Sequence, residues 1–436
     1  MGDFSDGTSL ALHVDHLGKK IRKGDSMSEK NPNRWLILLS GILINLCIGS
    51  AYAWSVYARP LIAMFNWSPK ETALAFTLSC VLVPFAMIVA GKIQDKKGPK
   101  FVIFVGGIIF SAGIIGAGFT SSLTTLYMTY GVLGGIGIGT IYACTVANTV
   151  KFFPDKRGLA SGLVVAGFGS GAVVLAPLSS ALIASYGVLT TFKILGIAYL
   201  MMISACATMV QTAPPGFRPA GWTPPAPTAT SIAGSDKNWR EMLADPMFYV
   251  LWGIYIIGCV SGLMIIGHAS PIAQEVIKLS PATAAAAVGF LALFNTAGRI
   301  FWGWASDKIG RYNSVMIMFI LSGVSMFFLT QITTFVPFMV VLMTVGLCFG
   351  GVMGIFPAIT ADAFGAKNVG MNYGIIFTAW GAAGIVGPLM AGHFKEINKG
   401  DYTQAFLIAA GLSTLGILLT FVARYNKKKA TAPQTA

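Results

Sequence analysis

A helix needs roughly 20 apolar residues to cross a bilayer, and this chain offers about twelve such runs, near 35–58, 72–91, 101–119, 125–150, 158–184, 190–211, 247–270, 283–304, 313–332, 336–361, 371–392 and 403–424. Six fall in each half of the sequence. With 55% hydrophobic residues, 11% charged residues and a mean hydropathy of +0.71, the chain is too apolar for a water-soluble fold. The expectation is an all-α membrane protein with twelve transmembrane helices.

Two polar segments interrupt the apolar rhythm in the same way. Gly91-Lys92-Ile93-Gln94-Asp95-Lys96-Lys97-Gly98 and Gly303-Trp304-Ala305-Ser306-Asp307-Lys308-Ile309-Gly310, followed by Arg311, each stand between two apolar runs, and Asp95 and Asp307 lie 212 residues apart. The halves also match elsewhere at nearly the same offset: Phe153 through Pro177 corresponds to Phe364 through Pro388, and Arg59-Pro60 to Ser270-Pro271 at the outer ends of the first and seventh runs. Two pseudo-symmetric six-helix halves are the architecture of a solute carrier, with a site near the bilayer midplane that rocking exposes to each side in turn. In that cycle Asp95 and Asp307, with Gly91, Gly98, Gly303, Gly310 and Arg311, suit a conformational latch, because a carboxylate near a helix end accepts donors that separate when one side opens. The alternative is a pair of tight turns that cap helices.

Short loops rich in Lys and Arg stay on the cytoplasmic side. Lys92, Lys96, Lys97 and Lys100, then Lys151, Lys156 and Arg157, then Lys308 and Arg311 occupy alternate loops, and basic residues flank the first and last runs, whereas the loops near 120–124, 185–190 and 331–336 are almost uncharged. This places both termini in the cytoplasm and the protein in the plasma (inner) membrane. The net charge of +14 then reflects topology and not nucleic-acid binding. The expected organisation is a cytoplasmic tail over 1–33, a six-helix half over 34–211, a Pro-rich cytoplasmic linker over 212–245, a second half over 246–424 and a tail over 425–436. The six cysteines fall inside apolar runs without metal-like spacing.

Ionisable groups inside a membrane are costly, about 2.5–3.5 kcal/mol for a central Arg on insertion scales, and so mark function. Arg299 lies within the run 283–304, with Asn295 one turn earlier on the same face. A permanent guanidinium beside a carboxamide is suited to holding a carboxylate. The alternative is that Arg299 snorkels to the interface. No Asp or Glu interrupts a span away from its ends, so the cavity is expected to be net positive and its cargo an organic anion. His268, near the outer end of its run, titrates near neutrality when unperturbed and is a candidate for carrying a coupling proton. Tyr52, Tyr142 and Trp380 are cavity candidates in spans flanking the expected central site.

These residues resemble the major facilitator superfamily through the doubled Gly-x-x-x-Asp-x-x-Gly loop. Phe153-Pro154-Asp155-Lys156-Arg157-Gly158, Ala53-Trp54-Ser55 with Pro60, Phe356-Pro357 and Asn372-Tyr373-Gly374 resemble its oxalate/formate antiporter family, over about residues 34–424. The resemblance implies a major facilitator fold, Arg299 as the substrate-binding arginine, and Tyr52 and Tyr142 in the cavity; Phe377, in the same run as Trp380, is a further substrate-site candidate. The resemblance also locates departures. Where oxalate transporters of the family carry a second cation, this chain has Trp380; Cys80 replaces a glutamine, and Phe349 and Met353 replace aromatic positions. One fixed positive charge neutralises one carboxylate well and a dianion poorly.

The expected function is therefore secondary active transport of small monocarboxylates of the lactate, pyruvate or formate type, by proton symport or anion exchange, acting as a monomer. An oxalate:formate antiporter is the alternative, and a transport-like anion sensor a remote one. No cofactor is expected. The sequence lacks a catalytic triad pattern and a phosphate-binding Gly-x-x-x-x-Gly-Lys loop, which argues against an enzyme or an ATP-driven pump.

Overall fold

The structure is a computed structural model that describes residues 33–214, 216–219, 221–223 and 236–430. Twelve long helices account for most of it: α1 (Arg34–Phe65), α2 (Pro69–Lys97), α3 (Pro99–Ala117), α4 (Leu123–Phe152), α5 (Arg157–Tyr186), α6 (Val188–Met209), α7 (Pro246–Glu275), α8 (Pro281–Ile309), α9 (Arg311–Leu329), α10 (Phe335–Phe364), α11 (Val369–Ile397) and α12 (Thr403–Ala430). Among the described residues, α1–α7 and α9–α12 are, by length and composition alone, apolar enough to cross a membrane. Helix α8 is 29 residues long and carries Asn295 and Arg299. Large apolar side chains such as Phe85, Phe101, Phe119, Met201, Val336 and Leu389 face outward, a surface that lipid and not water can cover.

The helices outrun the apolar stretches that announce them. Helix α1 continues through Pro60 to Phe65, and α7 through Pro271 to Glu275, so both prolines lie inside helices. Polar end turns belong to the helices because they carry the caps. Helix α12 likewise passes residue 424 and is described as far as Ala430. The tail 1–33 lies outside the described residues except for Asn33, as do residues 224–235 of the linker and 431–436 of the second tail.

The repeat is built from matched caps. Helix α2 starts on Ser68, whose side chain accepts from the Glu71 amide, with Pro69 next; α8 starts on Ser280, which accepts from Thr283, with Pro281 next. Both end on glycines in the left-handed half of conformational space, Gly98 at φ 84° and Gly310 at φ 90°. Only glycine takes that conformation without steric cost. Each cap pair is separated by 212 residues.

The two sets of helices meet where α2 crosses α11 and where α5 crosses α8. A Cβ on Gly91 would collide with the backbone of Gly370, and one on Gly303 with that of Gly158. Glycine at all four positions lets the backbones touch. Among the described residues, the hydrogen bonds and ion pairs that join α1–α6 to α7–α12 run from the level of Arg299 to the end where the basic loops gather. That basic side is closed.

Candidate functional site

The closure is made by the two repeated aspartates. Asp95 at the end of α2 accepts from the Met371 amide at 3.0 Å and pairs with Lys151 of α4 at 2.9 Å. Asp307 at the end of α8 accepts from the Gly158 and Leu159 amides at 2.9 and 2.8 Å and pairs with Arg311 at 2.6 Å. The acceptors and donors are pseudo-equivalent, since Met371 stands 212 residues after Leu159. First-turn amides have no carbonyl within their own helix, so each aspartate supplies the missing acceptor across the interface, helped by the positive helix end. Capping occurs, but the capped helix belongs to the other half.

Asp362 adds a link that the repeated motif does not reveal: it pairs with Arg157 of α5 at 2.6 Å and with Arg311 at 3.1 Å. Lys151 also donates to the Lys367 carbonyl at 3.1 Å. Outside these contacts lies a basic-side crevice of about 1400 Å³, lined by Asp95, Lys151, Arg157, Arg311 and Asp362 among others.

Arg299 does not snorkel. Among the described residues it is the sole charged side chain that is buried, with 1% exposure. Its Nε donates to Asn295 Oδ1 at 3.1 Å, as the four-residue spacing predicts, and its Nη1 donates to the Val165 carbonyl of α5 at 2.6 Å. Gly169 makes this possible, because a Cβ there would stand 2.8 Å from the guanidinium carbon. A guanidinium has five N–H donors, and these two bonds together with the neighbouring Tyr52 hydroxyl leave some of them uncommitted. The pseudo-equivalents of Asn295 and Arg299 in α2 are Val83 and Met87. The polarity of the site is thus built into one half.

Beside the guanidinium stands Tyr52, at the edge of a small cavity of about 20 Å³, which holds about one water. Tyr52, Cys80, Tyr142, Phe377 and Trp380 line it, together with Phe76, Val83 and Phe168. The rings interlock: Tyr52 meets Phe168 at 4.9 Å between centroids, Tyr142 meets Phe168 at 5.4 Å and Phe377 at 5.5 Å, and Phe377 meets Trp380 at 5.2 Å. Irregular helix supplies several of these positions. Tyr52 lies in a 3-10 stretch, Gly49–Ala53, and Phe377 lies where α11 breaks between Ile376 and Thr378. Such interruptions re-aim side chains. Among the described residues, Trp380 Nε1 is buried without a hydrogen-bond partner. Among the described residues, the lining of this cavity carries no charged side chain.

Other candidates lie elsewhere. Phe349 packs against Gly262 of α7, and Met353 Sδ accepts from the Tyr255 hydroxyl at 3.4 Å, so both face α7 and neither lines the cavity. His268 Nε2 meets the Pro388 carbonyl at 3.1 Å and so carries the proton of that bond, while Nδ1 faces the Tyr402 hydroxyl at 3.4 Å. It braces α7 to α11. Phe168, Val165 and Gly169 join the site without having been singled out from sequence. Their signal was the repeat itself, which aligns Phe168 with Trp380 and Gly169 with Gly381. Among the described residues no group of His, Cys, Asp or Glu could hold a metal ion.

The model of the major facilitator superfamily matches residues 38–388 and 261–436. The oxalate:formate antiporter of Oxalobacter formigenes is 32% identical over 394 residues, covering 89% of this chain and 91% of that protein. Monocarboxylate transporter 12 of Xenopus laevis is 28% identical over 420 residues, covering 91% and 90%. Among solved structures, the major facilitator transporter FucP superposes with a TM-score of 0.67 at 14% identity, covering 89% of this chain and 98% of that one. The chain belongs to the major facilitator superfamily. It is a multi-pass membrane transporter and not an enzyme.

Proposed function

We propose that the protein is a secondary transporter of small monocarboxylates that works by alternating access around Arg299. The observation that carries this reading is the buried guanidinium with N–H groups to spare, set beside a neutral aromatic cavity. A single fixed charge in a low-dielectric site rewards one carboxylate strongly, while a second carboxylate would be desolvated against Trp380 and Phe377 without compensation. At about 20 Å³ the cavity holds less than a carboxylate, so loading accompanies an opening on the side opposite the basic loops.

In this reading the helices of 34–211 and 246–424 rock as two bodies joined by the 212–245 linker. The basic side faces the cytoplasm of a cell whose plasma membrane holds the protein as a monomer, with both termini inside. Asp95 and Asp307 hold that side shut. A gradient of the anion, or of protons, supplies the energy. The 32% identical oxalate:formate antiporter favours a second reading, exchange of oxalate for formate.

A thermal-shift screen of purified protein against formate, acetate, lactate, pyruvate and oxalate tests both. A ligand that binds only the folded state stabilises it by RT ln(1 + [L]/Kd). A rise in Tm with a monoanion that vanishes in Arg299→Ala supports monocarboxylate transport. Stabilisation by oxalate alone overturns it in favour of the second reading.

A further inference from the structure

The arginine of α8 is bound to the opposite half even without a ligand. Its Nη1 reaches the Val165 carbonyl on α5 at 2.6 Å, and the guanidinium lies flat on Gly169, where a Cβ would come within 2.8 Å of its carbon and 2.9 Å of Nη1. Asn295 fixes the Nε edge at 3.1 Å and so sets the plane of the group. One turn nearer the basic side, a Cβ on Gly162 would strike the Arg299 carbonyl, and Ser161 donates to the Gly354 carbonyl at 2.7 Å. A further turn on, the Gly158 and Leu159 amides donate to Asp307.

The pseudo-equivalent crossing of α2 and α11 keeps a close backbone approach at Gly374 and the Met371 amide on Asp95, but it has no arginine. There Met87 stands in place of Arg299, Phe377 in place of Val165 and Gly381 in place of Gly169. A Cβ on Gly381 would meet only Pro84, at an ordinary 3.5 Å. The two crossings share a backbone path, and the guanidinium bond to the Val165 carbonyl is made at the α5–α8 crossing.

We propose that the Val165 carbonyl and the bare Gly169 surface form a receptor for the Arg299 guanidinium that ties the halves together, so that Arg299 is both the anion ligand and a strap holding the basic side shut. Gly169 and Asn295 are positioning residues for it. The carbonyl and an incoming anion draw on different N–H groups, so an anion that fixes the guanidinium in this pose also favours closure. Coupling between binding and closure is reciprocal. The ligand-dependent part rests on the carboxylate reading; the strap itself is present in the ligand-free protein.

Hydrogen exchange at the Gly158, Leu159 and Met371 amides reads closure directly, because their partners are Asp307 and Asp95 of the opposite half. In purified full-length protein without added carboxylate, Gly169→Ala is expected to speed exchange of these amides about tenfold, the effect of one lost hydrogen bond to a charged group. Arg299→Met, which installs the residue of the equivalent α2 position, is expected to do the same and serves if Gly169→Ala fails to fold. Gly381→Ala, made where no arginine lies, is expected to leave exchange within about twofold of wild type. Wild-type exchange rates in Arg299→Met, or equal acceleration by Gly381→Ala and Gly169→Ala, overturn the strap. Neither result depends on which carboxylate binds. Failure of every carboxylate to stabilise the wild-type protein would overturn the transport reading instead.

Discussion

Replacing Asn295 by Asp sets a carboxylate where a carboxamide oxygen now lies 3.1 Å from Arg299 Nε. The change is nearly isosteric, so packing against α10 is preserved. Opposite charges about 4 Å apart interact by about 4 kcal/mol at an effective dielectric of 20. The new aspartate therefore acts as an internal counter-ion and removes the net charge that an arriving anion would meet. At 1.4 kcal/mol per tenfold, the loss approaches about a thousandfold in affinity. Removing the carboxamide alone, in Asn295→Ala, keeps the charge and costs one charge-assisted bond, about tenfold. Equilibrium binding of a labelled monocarboxylate to purified variants, with unliganded Tm recorded in parallel, separates the two. Asn295→Asp should fold with a Tm at or above that of wild type and bind far more weakly than Asn295→Ala. Folded Asn295→Asp that binds within about threefold of wild type would refute the reasoning, because the Arg299 charge would then not be what holds the anion.

Three further outcomes follow from the geometry. Trp380→Lys puts a second cation on the cavity wall, and oxalate should gain on monocarboxylates in a competition assay by at least about tenfold, given the strength of a close buried pair. Asp307 accepts two backbone amides across the interface and Asp95 accepts one, so Asp307→Asn should speed hydrogen exchange on the basic side more than Asp95→Asn; the reverse order would show that the latch is not set by those amides. His268 donates to the Pro388 carbonyl and brackets α7 against α11, so His268→Gln should leave the pH profile of transport unchanged. A flattened profile would assign the coupling proton to this ring.

Much of the fold is legible in the sequence because a membrane offers few choices. Apolar runs mark helices, and the repeat of Asp95 and Asp307 marks their pairing into halves. What the runs miss is local chemistry. The α2 and α8 ends extend to Gly98 and Gly310 because polar end turns are capped and not apolar. The 3-10 stretch at Gly49–Ala53 and the break in α11 at Phe377 carry no periodic signal, yet they help present Tyr52, Phe377 and Trp380 to the cavity.

At the site, spacing alone predicts the Arg299 contact with Asn295, since four residues make one turn. The contact with Val165 is invisible, because a backbone carbonyl has no residue type and the two positions are 134 residues apart. Asp362 is similarly obscured by its place near a helix end among basic loops, where a single carboxylate looks like ordinary solvation. Phe349 and Met353 illustrate the opposite difficulty. Their positions on α10 resemble cavity positions, but Gly262 lets α7 close over Phe349 and Tyr255 covers Met353.

Counterflow in proteoliposomes tests the central claim most directly. Vesicles preloaded with unlabelled formate, lactate, pyruvate or oxalate are diluted into labelled substrate with no pH gradient, for wild type and Arg299→Ala. The account predicts transient accumulation of a monocarboxylate by wild type, weaker accumulation of oxalate, and none by a folded Arg299→Ala. Accumulation in Arg299→Ala at the wild-type rate would contradict it.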